Sequence, residues 1–144
     1  MPQPLEGVKV LDLTRLLPGA ICTMLLVDMG ADVLKVEDTG AGDYARWMPP
    51  LQEGMGAFFR ASNRNKRSLA LDLKHPDGQA ILHELVKTAD VLIEGFRPNV
   101  TARLGADAPT LHALNPRLIY CSLSGWGQTG DYAQDSGHDL NYVA

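Results

Sequence analysis

The chain has 144 residues, of which 45% are hydrophobic and 21% charged, and its formal net charge is −4. This length suits one globular domain with a sizeable core, and the negative charge balance argues against general affinity for nucleic acid. No apolar run approaches the roughly 20 residues that a membrane-spanning helix needs, and the first residues do not resemble a signal peptide, so we expect a cytoplasmic protein with no membrane span.

The first part of the chain predicts a strand, a helix and a second strand. Residues 8–13 form the first predicted strand. Pro18 then opens an apolar run from Ala20 to Met29, and Gly30 closes it. Proline in the first turn and glycine just after the end are typical helix signals. The helix is apolar on nearly all sides, so we expect it to be buried. The second strand covers residues 32–37.

A long connection and three further strands follow. Residues 38–60 predict a loop, and a loop of this length in a compact domain is usually functional or partly structured. The remaining predicted elements are a strand at 68–73, a helix from Pro76 with apolar residues at helical spacing up to Ala89, a strand at 90–94, a helical segment at 110–114 and a strand at 118–123.

Strands that alternate with helices imply parallel pairing through right-handed crossovers. The predicted fold class is therefore α/β, an open, mainly parallel, doubly wound (Rossmann-like) sheet with helices on both faces. Ligands of such sheets bind beyond the carboxyl ends of the strands. We expect one site to be lined by the loops that follow Leu13, Glu37, Leu73, Glu94 and Leu123.

Several common site motifs are missing from the sequence. No Gly-x-Gly-x-x-Gly follows the first strand, which argues against a standard dinucleotide site, and there is no Walker phosphate loop. There is also no Gly-x-Ser-x-Gly nucleophile elbow. Cys22 and Cys121 lie in apolar runs without metal-ligand spacing, so we predict reduced core cysteines and no metal site.

A glycine-rich segment after the last strand carries a histidine at its far end. Glycine lets the backbone approach a ligand closely, and histidine has a pKa near neutrality, so His138 is a candidate base. On the residues alone, a structural role for His138 explains the pattern as well. His75, His83 and His112 fall at or within helical segments and predict surface positions. The glycines are Gly125, Gly127, Gly130 and Gly137.

Basic residues offer a second candidate for ligand binding. Arg60, Arg64, Lys66 and Arg67 cluster just before the third predicted strand, where they could hold phosphates or form a solvated charged turn. Arg97 follows the strand at 90–94 at its carboxyl end, which is a favourable place for a ligand contact.

Five segments together resemble the family III coenzyme A transferase superfamily, which includes carnitine and bile-acid CoA transferases and α-methylacyl-CoA racemases. The resemblance runs from Leu5 to Tyr142 with the motifs in order. The segments are Lys35-Val-Glu37, Asn63-Arg-Asn-Lys-Arg-Ser-Leu-Ala-Leu-Asp-Leu73, Ala89-Asp-Val-Leu-Ile-Glu-Gly-Phe-Arg-Pro98, Asn115-Pro-Arg-Leu-Ile-Tyr120 and Ser124-Gly-Trp-Gly-Gln-Thr-Gly130.

The resemblance implies roles for particular residues. It implies that His138 is the catalytic base and that the segment from Gly137 to Tyr142 contacts acyl-CoA. It further implies that residues of the third and fourth strand ends bind the CoA portion. The implied ligand contacts are Leu71, Asp72, Leu73, Lys74, Arg97, Gly137, Asp139 and Tyr142.

Within this superfamily, Gly137-His-Asp-Leu-Asn-Tyr142 is similar to the racemase branch, whereas many transferases have tyrosine at position 138. The implied function is inversion of the α-carbon of acyl-CoA thioesters through an enolate, with His138 as one of two bases. The stretch from Gly42 to Phe59 resembles transferase-like members instead, and Asp38 replaces an arginine that several racemases have after the second strand. The alternatives are a family III CoA transferase that moves CoA between carboxylic acids, and a non-catalytic CoA-binding fragment.

The resemblance also bears on organisation. It implies that residues 1–144 are the amino-terminal CoA-binding α/β portion of a longer enzyme, with a second domain and a carboxyl-terminal part outside this chain. It implies an interlocked homodimer and no permanently bound cofactor, since coenzyme A arrives as part of the substrate. We expect little racemase turnover from residues 1–144 alone, because the second acid lies outside them.

Overall fold

The computed structural model describes residues 2–143, apart from the side chains of Asp139 and Tyr142. Its strands are β1 (Lys9–Asp12), β2 (Asp32–Glu37), β3 (Leu51–Gln52), β4 (Met55–Gly56), β5 (Arg67–Ala70), β6 (Val91–Glu94) and β7 (Ile119–Ser122). Its α-helices are α1 (Leu17–Asp28), α2 (Ala57–Ser62), α3 (Pro76–Val86), α4 (Val100–Arg103), α5 (Ala108–Leu114) and α6 (Asp139–Val143), and one 3₁₀ turn covers Tyr44–Arg46.

Five strands form one parallel sheet in the order β5-β2-β1-β6-β7. The central strand β1 pairs with a neighbour on each side, and Val10 lies opposite both Val33 and Val91. The chain order reverses between β1 and β6, which is the kind of point where open α/β sheets bind ligands. The predicted α/β class with a mainly parallel sheet is confirmed. Strands β3 and β4 form a separate antiparallel hairpin.

Helices pack on both faces of the sheet, because alternate strand residues point to opposite sides. Leu11 on one face belongs to a core with Leu82 of α3 and Leu111 of α5, both fully buried. Val10 on the other face belongs to a core against which α1 packs with Leu26. The doubly wound arrangement is confirmed.

Helix α1 differs from the sequence-based prediction in its burial. It starts at Leu17, with Pro18 in its first turn, and buries only residues on the side that faces the sheet. Leu25 is 52% exposed and Met29 is 40% exposed. A single sheet covers one side of a helix, so an all-apolar helix keeps its outer side exposed unless a second layer covers it. The expectation that α1 is buried on all sides was wrong for the described residues.

The stretch from 38 to 60 is partly structured, in line with the expectation for so long a connection. It contains the 3₁₀ turn, the β3–β4 hairpin and the start of α2. These pieces pack so closely that only glycine fits at position 56, where a Cβ would lie 2.1 Å from the Ala45 carbonyl oxygen. Phe59 is buried beneath the Arg46 guanidinium, whose Cζ lies 4.0 Å from the ring centroid.

The strand predicted at 68–73 ends at Ala70. Leu71 N–H still donates to the Glu37 carbonyl at 2.8 Å, but Asp72 then turns the chain by accepting the Lys74 N–H at 2.9 Å. Residues 72–74 are therefore loop. The short helices α2, α4 and α6 were not predicted. Within residues 2–143, no helix has the length and apolar character to cross a bilayer.

Candidate functional site

An open cavity of about 790 Å³ lies at the carboxyl ends of β2 and β5 and is closed on one side by α4. This is the edge of the sheet at which the sequence predicted a ligand. The four predicted contacts Leu71, Asp72, Leu73 and Lys74 all line it. The other lining residues are Arg15, Val36, Glu37, Asp38, Thr39, Gly40, Tyr44, Val100, Arg103 and Leu104.

Three cations line this cavity from three different elements. Arg15 comes from the β1–α1 loop, Lys74 from the loop after β5 and Arg103 from α4. Arg15 donates to the Asp38 carboxylate at 3.1 Å, and its Cζ lies 5.8 Å from the centroid of the Phe96 ring. Guanidinium and ammonium groups around a half-open cavity suit a ligand that carries several phosphates.

Glu37 lies on the cavity wall but is held by its own partners. Arg46 donates to both carboxylate oxygens at 2.6 and 2.7 Å, Ser68 Oγ donates at 2.6 Å, and the Asp43 N–H donates at 3.0 Å. Burial by itself would raise the pKa of Glu37, but the hydrogen bonds from Arg46, Ser68 and Asp43 outweigh it and lower the pKa to about 2. Glu37 is therefore a fixed anion that shapes the cavity.

A buried ion pair lies behind the cavity wall. Lys35 Nζ and Asp43 Oδ2 are 3.0 Å apart, and each side chain is only 1% exposed. Lys35 also donates to the Thr14 carbonyl at 2.9 Å, and the Leu16 N–H donates to both Asp43 carboxylate oxygens at 3.2 Å. Leu16 has φ 60° and ψ −140°, a conformation that costs a non-glycine residue about 1–3 kcal/mol.

A second buried cluster surrounds Asp12 at the end of β1. Its carboxylate accepts hydrogen bonds from Thr14 Oγ1 at 2.5 Å and Thr23 Oγ1 at 2.6 Å, and Lys66 Nζ lies 3.4 Å away. Burial lowers the pKa of Lys66, although the Asp12 charge partly opposes this. Among the described residues, every buried side-chain polar atom has a hydrogen-bond partner. These clusters tie α1 and the segment before β5 to the centre of the sheet.

Glu94 connects two loops at the ends of β6 and β7. It is buried, and its carboxylate accepts the Phe96 N–H at 2.7 Å and a hydrogen bond from Ser122 Oγ. Ser122 Oγ in turn accepts from Gln128 Nε2 at 2.6 Å. Burial, followed by the nearby Glu94 charge, raises the pKa of Tyr120 to about 12. Glu94 thus anchors both the loop that carries Arg97 and the glycine-rich segment.

The glycine-rich segment is exposed, and its far end forms the start of α6. The His138 N–H donates to Asn141 Oδ1 at 2.9 Å, and the Asn141 N–H donates to the His138 carbonyl at 2.8 Å. The His138 side chain is exposed and Gly137 is half-buried. Neither residue lines the cavity. The predicted contacts of the Asp139 and Tyr142 side chains lie outside the described part of the chain.

Arg97 is exposed in the loop between β6 and α4 and does not belong to the cavity lining. Its carbonyl accepts the Val100 N–H at 3.1 Å, which starts α4. Arg97 therefore lies beside the element that contributes Arg103. Its predicted role in CoA binding stays a prediction.

The basic residues at the start of β5 and just before it are paired with carboxylates. Arg60 contacts Glu53 at 2.5 Å, Arg64 contacts Asp28, and Arg67 makes a two-oxygen contact with Asp32 at 2.7 and 2.9 Å. With Lys66 buried at Asp12, none of the four lines the cavity. The alternative of a charged structural turn fits this arrangement better than a phosphate site.

The remaining histidines have structural contacts. His75 Nδ1 accepts the Asp77 N–H at 3.2 Å and caps α3. His83 Nε2 lies 2.7 Å from the Gly105 carbonyl oxygen, and His112 Nε2 lies 3.0 Å from that of Leu118. A carbonyl oxygen only accepts, so both nitrogens carry a proton in these contacts. These bonds fix loops and offer no catalytic pairing.

The sequence analysis missed two cations of the cavity and the ion pair behind it. Arg15 follows the first strand in a loop that was expected to line the site, so its position was a usable signal. Arg103 lies on a short helix whose sequence gives no clear periodic pattern. Lys35 is central in a strand, where a charged residue with the sheet on both sides predicts a buried partner, but nothing in the sequence points to Asp43.

Comparison with known proteins identifies the relatives of this fold and site. The chain is 48% identical to the succinate–glutarate CoA-transferase of Agrobacterium fabrum, covering 94% of this chain and 36% of that enzyme. It is 43% identical to the human alpha-methylacyl-CoA racemase, covering 97% of this chain and 33% of the racemase. The crystal structure of a CAIB/BAIF family protein from Brucella suis superposes with a TM-score of 0.90 at 43% identity, over 97% of this chain and 38% of that one.

The chain therefore spans about a third of the length of these relatives. The family model described as CoA-transferase family III matches residues 5–144, which include every lining residue of the cavity. The family assignment therefore rests on this match over almost the whole chain and on a parallel sheet of the same architecture. The chain belongs to CoA-transferase family III.

Proposed function

We propose that the intact protein moves CoA between carboxylic acids and that this chain supplies the CoA-binding portion. The observation that carries the proposal is the cavity at the carboxyl edge of the sheet that Arg15, Lys74 and Arg103 all line. A CoA ligand brings several phosphate groups, and three cations from separate elements could engage them together. The acyl-transfer nucleophile, a carboxylate in such a reaction, is expected outside residues 1–144.

Transfer is preferred over racemisation because of the relatives. The Agrobacterium fabrum protein at 48% identity is named for succinate and glutarate, whereas the racemase match is 43% identical. We therefore propose dicarboxylic acids as substrates, with succinyl-CoA as the donor and glutarate as the acceptor for a first assay. The racemase activity that the sequence resemblance implied is therefore the second candidate.

The test is an acceptor-dependent transfer assay on the intact protein. Succinyl-CoA and isotopically labelled glutarate should give labelled glutaryl-CoA, detected by mass spectrometry, and omission of glutarate should abolish product formation. A panel of mono- and dicarboxylic acids would define the acceptor class. If no acid in the panel accepts CoA, the transferase proposal fails.

Racemase activity remains the second candidate because of His138, which lies at the end of the glycine-rich segment in a Gly-His-Asp sequence. A neutral imidazole can accept the α-proton of a thioester near pH 7. In deuterated buffer without acceptor acid, a racemase would exchange the α-proton of a 2-methylacyl-CoA. His138→Ala should then reduce exchange from one enantiomer by about 10²–10⁴-fold and affect the other less. Absence of exchange in the wild type would exclude this candidate.

The CoA site itself is tested by calorimetry with CoA. Arg103→Ala and Lys74→Ala should each weaken binding about tenfold or more, because each removes a charged hydrogen bond worth about 1.5–3 kcal/mol. Arg97→Ala is expected to act in the same direction. Unchanged affinity for Arg97→Ala would restrict the site to the cavity, and unchanged affinity for all three variants would refute the site.

The third hypothesis, a CoA-binding fragment without catalysis, applies to residues 1–144 in isolation. We expect the isolated chain to bind CoA through the cavity and to give little or no turnover. Robust transfer or inversion by purified residues 1–144 would contradict this expectation.

A further inference from the structure

The backbone on both sides of Arg15 is held by one buried ion pair. The Thr14 carbonyl accepts a hydrogen bond from Lys35 Nζ at 2.9 Å, and the Leu16 N–H donates to the Asp43 carboxylate at 3.2 Å. The two charged groups are themselves 3.0 Å apart, and each is 1% exposed. The Lys35–Asp43 pair therefore contacts the residue before and the residue after Arg15.

Leu16 shows why this anchoring is needed. Its φ of 60° and ψ of −140° are a conformation that residues with a Cβ rarely adopt. It is the N-cap of α1, and no side chain caps the helix there. A strained residue in a loop persists only when its surroundings hold it, and the hydrogen bond to Asp43 provides that hold.

Arg15 is the residue that benefits from a fixed backbone. Its side chain is 41% exposed and lines the cavity, beside Asp38 and the ring of Phe96. A long side chain on a mobile backbone loses more entropy when it binds a ligand than one on a fixed backbone, so fixing the loop beforehand favours binding.

We propose that Lys35 and Asp43 are a positioning pair that orders the β1–α1 loop before ligand arrives and so presents Arg15 to the phosphate-bearing part of CoA. This inference rests on the proposed CoA-binding function. It assigns the pair a role in affinity in addition to its role in the core. Neither Lys35 nor Asp43 lines the cavity, and the proposed effect on affinity passes through Arg15.

A double-mutant cycle in the intact protein tests the route through Arg15. Asp43→Asn should weaken CoA binding about tenfold, and Arg15→Ala should do the same. The double variant Lys35→Met with Asp43→Leu, which leaves no unpaired buried charge, should also weaken CoA binding about tenfold. In the Arg15→Ala background, the changes at 35 and 43 should add less than about twofold, because their effect passes through the missing side chain.

The matched control is Asp32→Asn. Asp32 lies on β2, as Lys35 does, and the substitution breaks its exposed ion pair with Arg67. It should leave CoA affinity within about twofold. The proposal is overturned if Asp43→Asn keeps wild-type affinity. It is also overturned if the changes at 35 and 43 reduce CoA affinity by the same factor in the Arg15→Ala background as in the wild type, since the pair would then act through the general stability of the protein.

Hydrogen exchange on the ligand-free wild type tests the same proposal without any variant, should the buried changes prevent folding. The Leu16 amide should be protected at least about tenfold relative to an unstructured chain before CoA is added. Exchange at the unstructured rate, with protection only after CoA binds, would overturn the proposal. If the wild type binds no CoA at all, the proposed function fails and this role fails with it, whereas CoA binding by a protein whose Leu16 amide is unprotected overturns the positioning role alone.

Discussion

Glu37 makes the stability of the fold depend on pH. Its pKa is lowered from 4.5 to about 2, so the folded state favours the charged carboxylate. The resulting stabilisation is present above pH 4.5 and is lost as the pH falls from about 4.5 to about 2, where Glu37 becomes protonated in the folded state as well. A shift of this size corresponds to about 3 kcal/mol.

We expect Glu37→Gln to lower the free energy of unfolding by about 2–3 kcal/mol at pH 7 and by less at pH 3. Urea denaturation at both pH values measures this. Glu84→Gln is the control, because the Glu84 side chain is 71% exposed and should change stability by less than about 0.5 kcal/mol. A Glu37→Gln effect of the same size at both pH values would show that the carboxylate charge is not responsible.

In the proposed CoA site, Asp38 would compete with a ligand phosphate for Arg15. The two side chains are equally exposed at 41% and form an ion pair in the cavity wall. Asp38→Asn removes a negative charge that repels phosphates and frees the guanidinium. We expect severalfold tighter CoA binding by calorimetry, with the gain shrinking at high salt as exposed charges are screened. Glu84→Gln again serves as the control, and weaker binding of CoA to Asp38→Asn would mean that Asp38 contacts the ligand directly.

At the scale of elements, α3 and the Leu71–Lys74 loop form one packed unit. A Cβ on Gly78 would lie 2.1 Å from the Asp72 carbonyl oxygen, so the helix can approach this loop only with glycine there. Gly78→Ala should destabilise the protein by about 1–3 kcal/mol through overpacking, although alanine favours a helix intrinsically. It should also weaken CoA binding, because the loop that carries Lys74 must move.

The control for Gly78→Ala is Gly95→Ala. Its nearest contact from an added Cβ would be an ordinary 3.8 Å to the Leu123 carbonyl oxygen. Thermal unfolding of both variants, with calorimetry of CoA binding, makes the comparison. A stable Gly78→Ala variant with normal affinity would show that α3 can shift without disturbing the loop.

The elements that the sequence predicted correctly are those with strong local patterns. β2 occupies the predicted residues 32–37, because a short apolar strand bounded by glycine and a polar loop is a clear signal. β5 ends before the predicted Leu73 because the Lys74 N–H donates to the Asp72 carboxylate, and this hydrogen bond competes with strand pairing. The sequence does not show how strong that competition is. α4 has only four residues, too few for helical periodicity to appear.

The candidate site was predictable where strand order alone decides it. The alternation of strands and helices places the loops after Glu37 and Ala70 at one edge, so Lys74 could be expected there. The contribution of Arg103, and the pairing of Lys35 with Asp43, depend on how the chain between these elements packs. Such long-range pairings are set by tertiary contacts that a single sequence does not display.

At the scale of the whole molecule, apolar side chains remain exposed on several elements. They include Leu25 of α1 at 52%, Ile119 of the edge strand β7 at 63% and Leu140 of α6 at 86%. Exposed apolar surface together with an unpaired strand edge promotes association. We expect purified residues 1–144 to self-associate, and Leu25→Lys combined with Ile119→Lys to reduce this.

Light scattering over a concentration series measures the association, with exposed Lys87→Gln as a control that should not alter it. A monodisperse monomer at high concentration would contradict the prediction. The interlocked homodimer implied by the family resemblance concerns the intact protein and stays a separate prediction.

The buried charges behind the cavity also constrain how this sequence can diverge. Lys35 and Asp43 come from different segments, and losing one leaves the other as an uncompensated charge in the interior, at a cost of about 3–5 kcal/mol. A lineage can therefore change this pair only through simultaneous or closely compensated substitutions. Among family members, position 43 should carry an acid where position 35 carries a lysine, and both should turn neutral together.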